Sequence, residues 1–244
     1  MTEDTATAPP KQYTLRAACA SSDEIERLND MHRGIMAFLG QHISFAPLEK
    51  ANPKSILELG HLPPNLEFQF VDLTKPLPFE KASFDVLPGS EDILRRVFDL
   101  VKPGGWLLIE DPDDGDAKDG EGCPSPAVHV LLTSWLNILR SRGAQPTIAR
   151  DLESIIRSSG LFDEVNVRKV VIPLSGQSNE RAENELGRTW KEFMKRNSRY
   201  LSTRYSEYGI TEDLLRRSFE ELDDSTRSLT TVLYFTWSHK RMSS

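Results

Sequence analysis

Phe84-Asp85-Val86-Leu87-Pro88-Gly89-Ser90-Glu91-Asp92-Ile93-Leu94-Arg95-Arg96-Val97-Phe98-Asp99-Leu100-Val101-Lys102-Pro103-Gly104-Gly105-Trp106-Leu107-Leu108-Ile109-Glu110 is the stretch that decides the fold class. Phe84 to Leu87 reads as a strand closed by Pro88-Gly89. Ser90 then reads as an N-cap, with Glu91 and Asp92 in the first turn of a helix. Ile93, Leu94, Val97, Phe98 and Val101 form its buried stripe, and Pro103-Gly104-Gly105 is its stop. The continuously apolar run Trp106-Leu107-Leu108-Ile109 fits a central strand covered on both faces. Strand, helix and strand in this order make a right-handed parallel crossover and place the chain in the α/β class.

Upstream, two more strands are expected at Ser55 to Leu59 and Leu66 to Val71. In the second, Leu66, Phe68 and Phe70 alternate with Glu67 and Gln69, which suits an edge strand with one wet face. Five residues, His61 to Asn65, separate Gly60 from Leu66. Fully extended they span at most about 18 Å, too little for the crossover of about a dozen residues that parallel neighbours need. The two strands are therefore expected to form a hairpin, or the second sits elsewhere on the sheet edge. Ahead of them, Ile25, Leu28, Met31, Ile35, Met36 and Leu39 recur at three and four residues behind Ser22, predicting an amphipathic helix from 22 to about 41. Downstream, helices are expected at about 125–142 and 147–159, a strand at 165–174, helices at about 179–203 and 211–222, and a last strand at 229–237. Residues 1–12 read as a disordered tail and 13–244 as a single domain with a helical insertion at about 176–226.

Thirty basic against 37 acidic residues leave a net charge of -7, which repels phosphate backbones and argues against nucleic-acid binding. Two cysteines, Cys19 and Cys123, offer neither a disulfide framework nor metal-ligand spacing. The amino terminus lacks the basic start and apolar core of a signal peptide. No run approaches the roughly 20 apolar residues of a membrane helix. A cytoplasmic or nuclear protein is expected. Residues 110–122 carry seven acids and one lysine, but their spacing does not match a calcium loop, so no metal is expected and the segment reads as a solvated loop. Its start, Glu110 to Pro112, leaves the carboxyl end of a central strand, which in open α/β sheets faces the ligand crevice. Glu110 and Asp111 are thus candidates to border a substrate. His32, one residue from an apolar stripe, is a further substrate candidate beside its commoner structural role. His129 is a candidate general base, since imidazole titrates near neutrality. Trp190, Phe193, Tyr200, Tyr205 and Tyr208 either line an apolar pocket or dock their helix.

Taken in order, Ile56-Leu57-Glu58-Leu59-Gly60, Asp72 with Leu77-Pro78-Phe79 and Phe84-Asp85-Val86, Leu100-Val101-Lys102-Pro103-Gly104-Gly105-Trp106, and Ile155 to Phe162 resemble the class I S-adenosylmethionine-dependent methyltransferases. Glu26-Arg27-Leu28 with His32 resembles the helix that precedes the fold in a fungal branch of regulators and tailoring enzymes of secondary metabolism. The resemblance runs from about Tyr13 to Trp237. It implies a Rossmann-like sheet with a helical lid and an antiparallel pair of last strands, and methyl transfer to an oxygen or nitrogen of a small-molecule acceptor. It assigns S-adenosyl-L-methionine to Glu58, Gly60, Asp72 and Leu73.

This chain departs from the family at Gly60, where a glycine-rich turn, a helix whose amino end faces the cofactor and a further strand are expected and cannot fit. A shorter gap follows Leu87, and Glu91 and Asp92 already occupy the positive end of the next helix. In the family that further strand ends in an acid that holds the ribose hydroxyls; a charge-assisted hydrogen bond is worth about 1.5 to 3 kcal/mol, so its loss alone weakens binding about tenfold to a hundredfold. Three readings stay open: an active enzyme whose recorded sequence skips coding segments, a non-catalytic binding or regulatory relative with a protein partner, or a rebuilt site. A nicotinamide oxidoreductase ranks behind them because the Gly-x-Gly-x-x-Gly turn is absent.

Overall fold

The computed structural model describes residues 22–48, 84–87, 91–113, 125–141 and 144–242. Its elements are α1 (Ser22–Phe38), β1 (Phe84–Leu87), α2 (Glu91–Leu100), β2 (Val101–Pro112), α3 (Pro126–Ser141), α4 (Leu152–Ser158), β3 (Phe162–Pro173), α5 (Arg181–Arg204), α6 (Glu212–Asp223) and β4 (Thr230–Lys240). The expected strands at 55–59 and 66–71, the hairpin between them, the missing helix and second strand, the tail at 1–12, the Ser90 cap and both cysteines lie outside the described residues.

The described strands pair in the order β1-β2-β4-β3. β1 runs parallel to β2, as the strand-helix-strand reading requires, and β4 lies antiparallel between β2 and β3. β1, β2 and β3 therefore share one direction and end at one edge of the sheet, the edge where β4 begins. The helical insertion, α5 and α6, leaves from this edge after Pro173 and returns to it at Thr230.

Each face of the sheet carries its own core. On one, Leu107 and Ile109 of β2 meet Leu94, Val97 and Phe98 of α2 and Leu152 and Ile156 of α4, with the rings of Phe98 and Phe162 edge to face at 5.1 Å. On the other, Leu108 and Trp106 meet Ala46, Leu48 and Trp237, while Leu233 and Phe235 of β4 meet Ile35 and Phe38 of α1 and Leu186 and Trp190 of α5. β2 is thus apolar in consecutive residues because both its faces are covered.

Two elements differ from the sequence expectation. β2 begins at Val101, not Trp106. Phe84 pairs with Val101 and Val86 with Trp106, so residues 102–105 bulge from the ladder, and Gly104 makes the bend at φ 75°. The helix stop is thereby built into the strand. The expected helix at 147–159 divides into a 3-10 turn, Ile148–Arg150, and α4. The break is at Asp151, whose N–H bonds to the Ile148 carbonyl at 2.8 Å. The apolar residues Ile148, Leu152 and Ile156 still reach the same core.

Two contacts close the ends of the fold. Lys240, near the end of β4, donates to the carbonyls of Phe98 and Val101, the latter at 2.8 Å, and so satisfies carbonyls at the end of α2. Gly187 lets α5 approach the end of β3: a Cβ there would lie 2.0 Å from the Pro173 carbonyl oxygen.

Candidate functional site

Ligands of open α/β sheets bind outside the carboxyl ends of parallel strands, which here places the site at the edge formed by Leu87, Pro112 and Pro173. Three structures crowd that edge: the amino end of α3, the helical insertion and the end of α1.

Glu110 and Asp111 are the penultimate residues of β2, paired across the ladder with Phe235 and Tyr234. They are half-buried strand residues, which corrects the reading of 110–122 as loop from its first residue. Alternation puts Glu110 on the face of Leu108 and Asp111 on the face of Ile109. Asp113 departs further from the expected solvated loop. It is 1% exposed, its N–H bonds to the Val232 carbonyl at 2.9 Å, and its carboxylate receives Arg150 through Nε and through Nη2 at 2.8 Å. A buried carboxylate needs such a fork. The acids at 114, 116, 119 and 121 lie outside the described residues.

His32 is half-buried on α1, the helix that lies on the same side of the sheet as Glu110. Burial lowers its pKa from the ordinary imidazole value, so it is neutral at physiological pH. His129 sits in the first turns of α3 and is exposed; its neighbour Val128 is the residue that enters the core. Glu58, Gly60, Asp72 and Leu73 lie outside the described residues. Among the described residues no three His, Cys, Asp or Glu side chains converge as a metal ligand set, and no helix is long and apolar enough to cross a membrane.

The insertion is tied to this edge by contacts that sequence reading missed. The Glu221 carboxylate on α6 accepts the backbone N–H groups of Ala127 and Val128 at the start of α3, each at 3.0 Å through Oε2. Arg227 donates to the fully buried hydroxyl of Ser125. Between α5 and α6, Lys195 Nζ reaches both oxygens of Asp223 at 2.6 and 2.7 Å. Desolvation alone would raise the Asp223 pKa, but the hydrogen bonds and charges of Lys195 and Lys191 outweigh it and hold the carboxyl below its usual range. A signal existed in the Ser125-Pro126 pair, which opens a helix without an acid in its first turn and so leaves its positive end to be filled from elsewhere. Tyr200, Tyr205 and Tyr208 pack in the cluster shared by α3 and α6, and Trp190 of α5 is 5% exposed against the sheet, so these aromatics dock the insertion.

Two clefts of about 490 and 500 Å³ flank the turn after β3 and share Ser175. Neither includes His32, Glu110, Asp111 or His129, so these two clefts and the sequence-predicted chemistry do not coincide. The strand direction is therefore the guide to the site.

Two proteins of the fungus Strobilurus tenacellus resemble the chain in sequence. Methyltransferase str2 is 32% identical over 195 residues, 63% of this chain and 70% of its own length. Methyltransferase str3 is 30% identical over 222 residues, 75% of this chain and 79% of its own. Among solved structures, loganic acid methyltransferase with SAH overlaps 73% of the chain and 69% of its own length, at 15% identity and a TM-score of 0.39. No family model matches the chain.

Proposed function

The chain belongs to the family of these two Strobilurus methyltransferases, and from that premise we propose that it moves a methyl group from S-adenosylmethionine to an oxygen or nitrogen nucleophile of a small molecule. The observation that carries this is a relationship that spans 79% of methyltransferase str3. By resemblance, Glu58, Gly60, Asp72 and Leu73 hold the cofactor and the reaction tailors a secondary metabolite.

When bound, S-adenosylmethionine supplies a methyl carbon on a cationic sulfonium: the acceptor's lone pair forms the new bond, the old bond's electrons stay on sulfur, and the acceptor gives up a proton. The described residues suit that chemistry. Glu110 and Asp111 place two acids at the carboxyl end of β2, the sign of charge a sulfonium favours. His129, exposed in the first turns of α3, is the candidate to take the acceptor's proton, and His32 a candidate to border the acceptor. The insertion at about 176–226 acts as a lid: α5 and α6, held to α3 through Glu221, exclude water and align donor with acceptor.

One observation favours a second reading, a non-catalytic binding module. Only five residues separate Gly60 from Leu66, which leaves no room for the glycine-rich turn and its helix. Incubation of the full chain with methyl-tritiated S-adenosylmethionine and a panel of hydroxyl, carboxyl and amine acceptors separates the two. Label in an acceptor supports the enzyme. A folded chain that labels no acceptor and binds no S-adenosylhomocysteine supports the module.

A further inference from the structure

β3 is twelve residues long and, among the described residues, pairs only with β4. Its register fixes which backbone groups remain. Leu174 donates to Leu229 at 2.8 Å, so the even-numbered residues turn towards β4 and Val165, Val167, Lys169 and Val171 turn outwards. The Val165 carbonyl, consistently, accepts from Arg157 rather than from β4. Pro173, which has no N–H, takes the next outward position, as proline does on an edge. Val167 and Val171 are 38% and 50% exposed, and the cleft of about 490 Å³ borders the strand at Arg168, Lys169 and Val171. A long edge of this kind is a template for another strand.

The sequence along the edge says which strand. Asp163-Glu164-Val165-Asn166-Val167-Arg168-Lys169 is charge-complementary to itself when reversed about Asn166. An antiparallel pairing of two copies in that register sets Glu164 opposite Arg168 and Val165 opposite Val167, twice over, and brings Lys169 to the bulged end of the strand, where Asp163 also pairs with Arg241 at 3.3 Å. The outward residues Val165 and Val167 then form the hydrogen-bonded pairs, and Asn166 meets itself in a non-hydrogen-bonded pair, which the pleat requires. A register centred on Arg168 instead opposes like charges, and like charges directly opposite destabilise a sheet. Cationic residues on an edge repel most strands; the register centred on Asn166 is the twofold one that sets them opposite acids.

We propose that the chain forms a twofold dimer through its β3 edges, centred on Asn166, which joins the two sheets into one. Arg157, whose side chain is 53% exposed, gives up the Val165 carbonyl to the partner strand. The proposal is independent of the reaction at the carboxyl edge.

Sedimentation velocity of the full chain at rising concentration tests it. The expected result is a species of twice the chain mass, which Glu164→Arg and Arg168→Glu each convert to monomer because each puts like charges opposite. Mixing the two variants restores the dimer, since every opposed pair is then of unlike sign. Arg168 also lies 4.0 Å over the Phe45 ring, and the mixture controls for loss of that contact, because the same variant chain regains pairing. Asn166→Cys, with Cys19→Ser and Cys123→Ser, is expected to cross-link on oxidation: opposed residues of a non-hydrogen-bonded pair lie about 4.5 Å apart at Cα, within disulfide reach. A monomer at every concentration, or a dimer that both charge reversals leave intact, overturns the proposal.

Discussion

Glu221 closes the amino end of α3: its Oε2 accepts the backbone N–H of Val128 at 3.0 Å, from a helix 93 residues further along the chain. The first amides of a helix have no partner within it, and α3 carries no acid of its own in its first turn. One carboxylate therefore both caps a helix and anchors the insertion beside the carboxyl ends of the parallel strands. Glu221→Ala is expected to cost about 1 to 2 kcal/mol, the range of lost helix caps, and Glu221→Gln less, since an amide oxygen still accepts. Urea denaturation measures the loss. Hydrogen exchange at Ala127 and Val128 is expected to rise in the alanine variant; unchanged exchange there would contradict the capping role.

Gly187→Ala is expected to be among the most damaging conservative changes in the insertion. The added carbon would meet the Pro173 carbonyl oxygen at 2.0 Å, so α5 must move off the end of β3. Overpacking of this kind costs about 1 to 3 kcal/mol. A thermal melt indistinguishable from wild type would show that the two elements are not held this closely.

Arg150→Ala is expected to cost about 3 kcal/mol, because it strands the buried carboxylate of Asp113. Adding Asp113→Asn to that variant is expected to restore part of the loss by removing the charge. Denaturant titration of the two single variants and the double variant gives the coupling; additive losses would mean that the pair is not a unit.

His32 predicts a pH dependence. Burial lowers its folded pKa below the ordinary value of about 6.5, so the unfolded chain binds more protons than the folded one between the two values. Stability therefore rises with pH across that window, is fully present above about 6.5, and falls as pH drops towards the folded pKa, below which the penalty is constant. His32→Gln is expected to flatten this slope. An imidazole proton titration by nuclear magnetic resonance with a midpoint at or above the ordinary value would contradict the assignment.

How far the fold was legible depends on which residues report on it. The run 84–110 announced a parallel strand-helix-strand unit, because apolar continuity, caps and stops are local. The order β1-β2-β4-β3 was not legible, since nothing in Thr230 to Lys240 says that it slides between β2 and β3. The turn glycines misplaced the start of β2: Pro103-Gly104-Gly105 ends a helix, but here it does so as a bulge within a strand already paired at Val101. Glu110 and Asp111 were assigned to the carboxyl end of the central strand from strand direction alone, and β2 ends just beyond them at Pro112. Asp113 was misread because an acid cluster looks solvated until its partner, Arg150, arrives from 37 residues away. Glu221 was missed for the same reason, as caps supplied by another helix leave no local spacing.

Calorimetric titration of the folded full chain with S-adenosylhomocysteine tests, without turnover, whether the chain holds S-adenosylmethionine. The predicted result is saturable micromolar binding that Asp72→Ala weakens about tenfold to a hundredfold, the loss of one charge-assisted hydrogen bond. A cooperatively folded protein that gives no binding heat up to millimolar ligand would contradict it.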